Sequence, residues 1–232
     1  MFNSELKEKA KKVLEEVYGD YKRTLSNTIN HSESLYEKKL HAVEILKNFS
    51  TYIQKLSNKP IEFETSLGKI EMNIKKFDNK IEEVTKEINQ AEVVPTAMAG
   101  AGALAGAGGG GIVGGEALLA LAGPIGWAIG GSALLGAGLI LNNKNKEAAD
   151  KIEEQILEIK KEIMKIMKLD IKVLMSEKEI KEISDNIENG FELIKYDNDY
   201  NQFSIENKER LATLINISES LSTKIGEFVS NE

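Results

Sequence analysis

The residues of this chain whose types and spacing could do chemistry are few. His31 and His41 stand ten positions apart, and the 232 residues include no cysteine. Zinc needs three or four nitrogen, sulfur or oxygen ligands gathered at short spacings, so the pair predicts no metal site, and on a long helix both histidines should lie at the surface. Gly106-x-Gly108-x-x-Gly111 spells the dinucleotide fingerprint. That loop works only between the strand and helix of a βαβ unit, and the sequence around it is itself about half glycine and alanine. Asp197-x-Asp199-x-Asn201 opens like a calcium loop, but Gln202 stands where the glycine belongs and Lys208 where the bidentate glutamate belongs. An acidic turn is expected there. Asn48-Phe49-Ser50 and Asn216-Ile217-Ser218 match the glycosylation acceptor, which matters only for a chain that passes through a secretory lumen. Carboxylates are abundant, yet no pair is singled out for acid and base work. The expectation is no enzyme, no cofactor and no small-molecule substrate.

The remaining constellation is apolar. Val94 to Leu141 is a block of forty-eight residues whose only charged side chain is Glu116; it contains fifteen of the nineteen glycines and none of the thirty lysines and arginines. A bilayer is crossed by roughly 20 apolar residues, so the block is long enough to cross twice. The side chains that would enter lipid are Met98, Leu104, Ile112 and Val113 in the first half. In the second they are Leu118, Leu119, Leu121, Ile125, Trp127, Ile129, Leu134, Leu135, Leu139, Ile140 and Leu141. Gly114-Gly115-Glu116 is the polar interruption at which a helical hairpin turns, with Glu116 at its tip. At that tip a carboxylate is either a solvated turn residue or, when it must cross the bilayer, a source of pH dependence, because protonation lowers the cost of burying it.

Gly102, Gly106, Gly110 and Gly114 recur every four residues, and Gly126 and Gly130 repeat the interval after Ala122. On a helix each series is a groove of minimal side chains, and small-xxx-small faces let helices approach closely in lipid. Glycine costs about 1 kcal/mol relative to alanine in a helix interior, so Gly108 to Gly111 should be the weakest helical stretch.

The flanking sequence must carry this block. Aromatics are 6% of the chain and prolines number three, whereas isoleucine, leucine, lysine and glutamate dominate; such a composition favours long helices over sheets. Leu6, Ala10, Leu14, Val17, Tyr21, Leu25 and Ile29, then Ala42, Leu46, Phe49, Ile53 and Leu56, predict a helix from Ser4 to about Ser57, on the order of 80 Å long. A break is expected at Asn27 to Ser34, where serine and asparagine accumulate, and Pro60 should end the helix. Phe63, Leu67, Ile70, Ile74, Phe77, Ile81, Val84, Ile88 and Ala91 alternate four and three without error, the spacing of a coiled-coil seam. The pattern resumes in Ala149, Ile152, Ile156, Ile159, Ile163 and Ile166, and loosens towards Ile187. Gly190 or the Asp197-Asn198-Asp199 turn should end that helix. A last helix, about Ser204 to Val229, carries Leu211, Leu214, Ile217, Leu221, Ile225 and Phe228.

The fold class expected is all-α: an elongated antiparallel bundle of four to five long coiled-coil-like helices with a central hydrophobic, Gly/Ala-rich hairpin head. Its parts would be 1–93, the head at 94–142, and 143–232. The two helices next to the head, 61–93 and 146–189, would run antiparallel as a stalk. A net charge of −7 with interspersed signs argues against a nucleic-acid partner. The N-terminus MFNSELKEKAKKVLEEV lacks the apolar core of a secretory signal, so export without a cleavable signal peptide is expected, or residence in the cytoplasm or at the inner membrane.

This arrangement of heptad helices at 61–93 and 146–189, flanking an apolar insert at 94–141 with further helices outside, resembles the α-helical pore-forming toxins of the cytolysin A type, with the haemolysin BL and non-haemolytic enterotoxin components. The likeness is one of architecture and covers most of the chain. It implies a soluble rod that hides its apolar head, followed by insertion and oligomerisation in a bilayer, alone or as one component of a multi-part toxin. The partners implied are the lipid bilayer and further copies or related components. Two other readings of the same residues stay open: an intracellular membrane-anchored scaffold or inner-membrane-breaching effector, and a soluble coiled-coil adaptor with a Gly/Ala linker.

Overall fold

The computed structural model describes residues 2–90 and 146–227, with side chains described over 8–83, 86 and 151–227. Among these residues the elements are four long helices, α1 Phe2–Lys55, α2 Glu62–Gln90, α3 Lys146–Glu192 and α4 Ile205–Gly226, with one 3-10 turn at Tyr200–Gln202. The chain is all-helical in the described residues, as the spacing predicts. The predicted end of α1 at Pro60 is close: the helix stops at Lys55, and Asn58 turns the chain in the left-handed region at φ 57°, a conformation that asparagine tolerates better than most residues.

Two expectations about helix ends are corrected. No break occurs at Asn27 to Ser34; α1 is continuous through it. The buried seam of α1, continued by Leu56 just past its end, is Tyr21, Leu25, Thr28, Ser32, Leu35, Lys39, Ala42, Leu46, Phe49, Ile53 and Leu56, an unbroken alternation of four and three in which three members are polar; Val17, Val43, Ile45 and Ser50 are buried beside it. Thr28 donates its hydroxyl to the Thr24 carbonyl at 3.1 Å and Ser32 to the Thr28 carbonyl at 2.8 Å. Bonded back onto the preceding turn, these hydroxyls bury without breaking the helix. Gly190, in turn, does not end α3, which runs through it to Glu192. It is a point of close approach, since a Cβ there would stand 2.6 Å from Leu214 Cδ2.

Contacts divide the chain into two compact units. In the first, residues 2–33 of α1 and 146–173 of α3 run parallel: Tyr21 feels the charge of Glu162, and His31 Nδ1 lies 2.8 Å from Asp170 Oδ1. Val17, Tyr21 and Leu25 of α1 and Ile152, Ile156, Ile159, Ile166, Leu169 and Val173 of α3 are its buried apolar side chains among the described residues.

The second unit spans 34–86 and 174–227 of the described chain and is a bundle of two αα-hairpins. Gln54 donates to Glu71 at 2.8 Å and Lys47 lies 3.8 Å from Asp78, so α2 is antiparallel to α1. Ser34 donates to Glu177 at 2.6 Å, and Phe49 meets Phe191 edge-on at 5.5 Å, so α3 is parallel to α1. Lys224 pairs with Glu179 at 2.7 Å and Leu214 meets Gly190, which makes α4 antiparallel to α3. Lys69 reaches Glu219 at 2.6 Å across α2 and α4. Thus α1 and α4 each touch both α2 and α3, and within this unit α2 runs antiparallel to α3. Phe49, Ile53, Leu56, Leu67, Ile194, Phe203, Leu211, Leu214 and Ile215 form the core at the loop end.

Candidate functional site

All the predicted membrane-inserting side chains from Met98 to Leu141, the six packing glycines and Glu116 lie at 91–145, outside the described residues. Because α2 and α3 are antiparallel in the second unit, the chain leaves it through α2 and re-enters through α3 at one end, opposite the loops at 56–61 and 193–204. Among the described residues no helix is long and apolar enough to cross a membrane.

The end by which the chain leaves is marked by a buried lysine. Lys39 is 2% exposed, and its ammonium donates to the Ile225 carbonyl at 3.1 Å and the Glu227 carbonyl at 2.7 Å. These belong to the last turn and cap of α4, where carbonyls lack helical partners and the helix dipole is negative. The Phe77 ring of α2 lies 5.7 Å from the same nitrogen. Burial lowers the Lys39 pKa to about 8, with the Glu227 charge acting second and in the other direction. Sequence reasoning missed this residue because it counted apolar positions only. The signal was present: Lys39 falls four after Leu35 and three before Ala42, inside the seam.

The loop end is stitched by polar groups. Ser57 N–H donates to the Asn198 carbonyl and Tyr200 N–H to the Ser57 carbonyl, each at 3.0 Å. The Tyr52 hydroxyl lies 2.8 Å from the carbonyl oxygens of both Ile194 and Asp197, its single proton shared between them. Burial, and next the charge of Asp197, pushes the Tyr52 phenol up to about 12. Asp199 accepts from the Asn58 side chain at 2.9 Å and from Asn201 N–H at 3.0 Å; these bonds, that from Asn58 foremost, hold its carboxyl below the usual range. The acidic turn expected at Asp197 to Asn201 is therefore a clasp between the two hairpins, built from its own chain.

Of the two histidines, His41 is exposed as expected, whereas His31 is half-buried and paired with Asp170. It is better described as a bridge between α1 and α3 than as a surface residue, because it falls beside the buried Ser32 on the flank of the seam. Among the described residues no three histidine or carboxylate side chains are grouped to hold a metal. The chain matches no protein-family model, no curated protein sequence and no solved structure.

Proposed function

We propose that this protein permeabilises membranes: the helices carry the apolar block at 94–141, which leaves its cover at a bilayer, inserts, and associates with further copies or related components to line a pore, in the manner of the cytolysin A-type toxins. The observation that carries the reading is the block itself, forty-eight residues with one charge, since a segment of that length and composition satisfies its apolar surface most readily in lipid. The second unit supports it. Its antiparallel α2 and α3 let the chain leave that unit after Lys86 and re-enter it at Leu174 at the same end, an order compatible with an inserted hairpin.

The test is release of a trapped dye from liposomes by the full chain, compared with Leu121→Arg/Leu135→Arg. A charge at the bilayer centre costs about 2.5–3.5 kcal/mol on insertion scales, so the double variant should lose release by more than a hundredfold while keeping the helical circular dichroism of the parent. Equal release by parent and variant would remove the block from the mechanism. No release by the parent from vesicles of any composition would favour the adaptor reading.

A further inference from the structure

Within the first unit, α3 carries a second apolar stripe that the fold leaves uncovered. Leu157, Met164, Met167 and Ile171 are 58%, 56%, 53% and 56% exposed. Their spacings of seven, three and four place them on one side of the helix, away from the buried seam of Ile159, Ile166, Leu169 and Val173. Single exposed apolar residues are ordinary on a protein surface; four in register on one helix are an unpartnered face.

The charges around this face say what covers it. Between Leu157 and Ile171 the other exposed residues are Glu158, Lys160, Lys161, Lys165 and Lys168. At 100° per residue Lys160 falls within the stripe, and Lys161, Lys165 and Lys168 follow along its solvent flank. One of these, Lys165, is bridged to Glu162 at 2.7 Å. The patch is therefore cationic on a chain whose net charge is −7. A second copy docked through the same stripe would bring the lysines of both copies together, and like charges across an interface oppose association. An anionic surface has the opposite effect. Lysine stems lie along apolar surface while their ammonium groups reach outward, and a helix face of aliphatic residues flanked by lysines is the pattern that rests at the headgroup level of a bilayer. Methionine, unbranched and adaptable, suits so irregular a contact.

We propose that the Leu157–Ile171 face of α3 is a docking surface for an anionic lipid bilayer. It rests on the membrane reading above in that docking brings the apolar block within reach of lipid, but it is a separate step with its own residues: the face holds the surface, and the block enters.

The experiment is sedimentation of the full chain with phosphatidylcholine vesicles, with and without phosphatidylserine, beside dye release from the same vesicles. Two variants change only exposed side chains, Lys161→Gln/Lys168→Gln and Met164→Gln/Met167→Gln. Each should lower binding to the phosphatidylserine vesicles by on the order of tenfold, with the thermal transition unchanged. Binding by the parent without dye release would support the face and overturn the pore. Dye release at parental potency by both variants would overturn the face and leave the pore standing. Equal binding of the parent with and without phosphatidylserine would also overturn it. So would a dimer in analytical ultracentrifugation that Met164→Gln/Met167→Gln dissolves, because the stripe would then be an interface between copies.

Discussion

Gly190 of α3 lies so close to Leu214 of α4 that a Cβ on the glycine would stand 2.6 Å from one Leu214 methyl and 3.4 Å from the other. Inside a helix, glycine to alanine normally gains up to about 1 kcal/mol. Here the gain is opposed by overpacking of a core in which Leu214 is 3% exposed, and overpacking costs about 1–3 kcal/mol. Gly190→Ala should therefore destabilise by about 1 kcal/mol in urea denaturation. In a Leu214→Val background, which has no Cδ methyls and so draws the side chain back from the new Cβ, the same substitution should become neutral or stabilising. Gly68, with nothing within 4 Å of its Cβ position, is the control, and Gly68→Ala should gain about 0.5–1 kcal/mol. If Gly190→Ala and Gly68→Ala behave alike, the close approach of α3 to α4 is wrong.

Lys39 gives the second unit a pH dependence of definite sign. Its pKa is about 8 in the fold against an ordinary 10.5, so between those values the unfolded chain binds the extra proton and stability rises with pH. The contribution is complete above 10.5, is lost as pH falls through 8, and amounts to about 3 kcal/mol. Lys39→Met removes the titration together with the two bonds to the α4 carbonyls. The stability of the parent relative to the variant should thus grow steadily from pH 8 to pH 10, when urea midpoints of the two are measured side by side. Tyrosines common to both chains cancel in that difference. Parallel pH curves would show that the ammonium is solvated and not enclosed by Phe77 and the end of α4.

Tyr52 has the reverse sign. Its phenol is raised to about 12 from 10.0, so the fold binds the proton more tightly than the unfolded chain, and the contribution present below pH 10 is lost as pH rises through 12. Tyr52→Phe should cost about 1–2 kcal/mol, because the Ile194 and Asp197 carbonyls lose a common donor. The loss should be local as well as global. Hydrogen exchange at the Ser57 and Tyr200 amides, which pair the two loops, should accelerate more than exchange at Ile70 in the middle of α2. Uniform acceleration at all three would mean that the hydroxyl supports the whole bundle and not the clasp.

These three sites show where the sequence was legible and where it was not. The middle of the α2 seam could be read directly: Leu67, Ile70, Ile74 and Phe77 are buried as their spacing predicts, because each is apolar and no neighbour competes for the inward position, whereas Phe63 and Ile81 at its two ends are half-buried. The α1 seam was read with a gap, since Thr28, Ser32 and Lys39 occupy inward positions through bonds that no hydrophobic pattern records. Gly190 was read as one of two possible ends of α3, the other being the Asp197 to Asp199 turn, because helix propensity is a local quantity, whereas its packing against Leu214 is set by a residue twenty-four positions away. The uncovered stripe of α3 was not separated from the buried one, for both have heptad spacing and only exposure distinguishes them. The composition of the apolar block, by contrast, is fully visible in the sequence, and its reading rests there.

The last prediction concerns that block. If Gly102, Gly106, Gly110 and Gly114 form a groove for a neighbouring helix in lipid, the contact depends on the absence of side chains, since close backbone approach is what small-xxx-small faces provide. Gly106→Leu/Gly110→Leu fills the groove while making the segment more apolar and a better helix former. Insertion should therefore survive or improve, as read by the fraction of protein that remains with vesicles after a carbonate wash. Dye release should fall by tenfold or more, because inserted copies can no longer pack. Release undiminished in this variant, together with loss in Leu121→Arg/Leu135→Arg, would mean that the block permeabilises without glycine-mediated association. Loss of both insertion and release would instead mean that the glycines are needed for flexibility before the bilayer is entered.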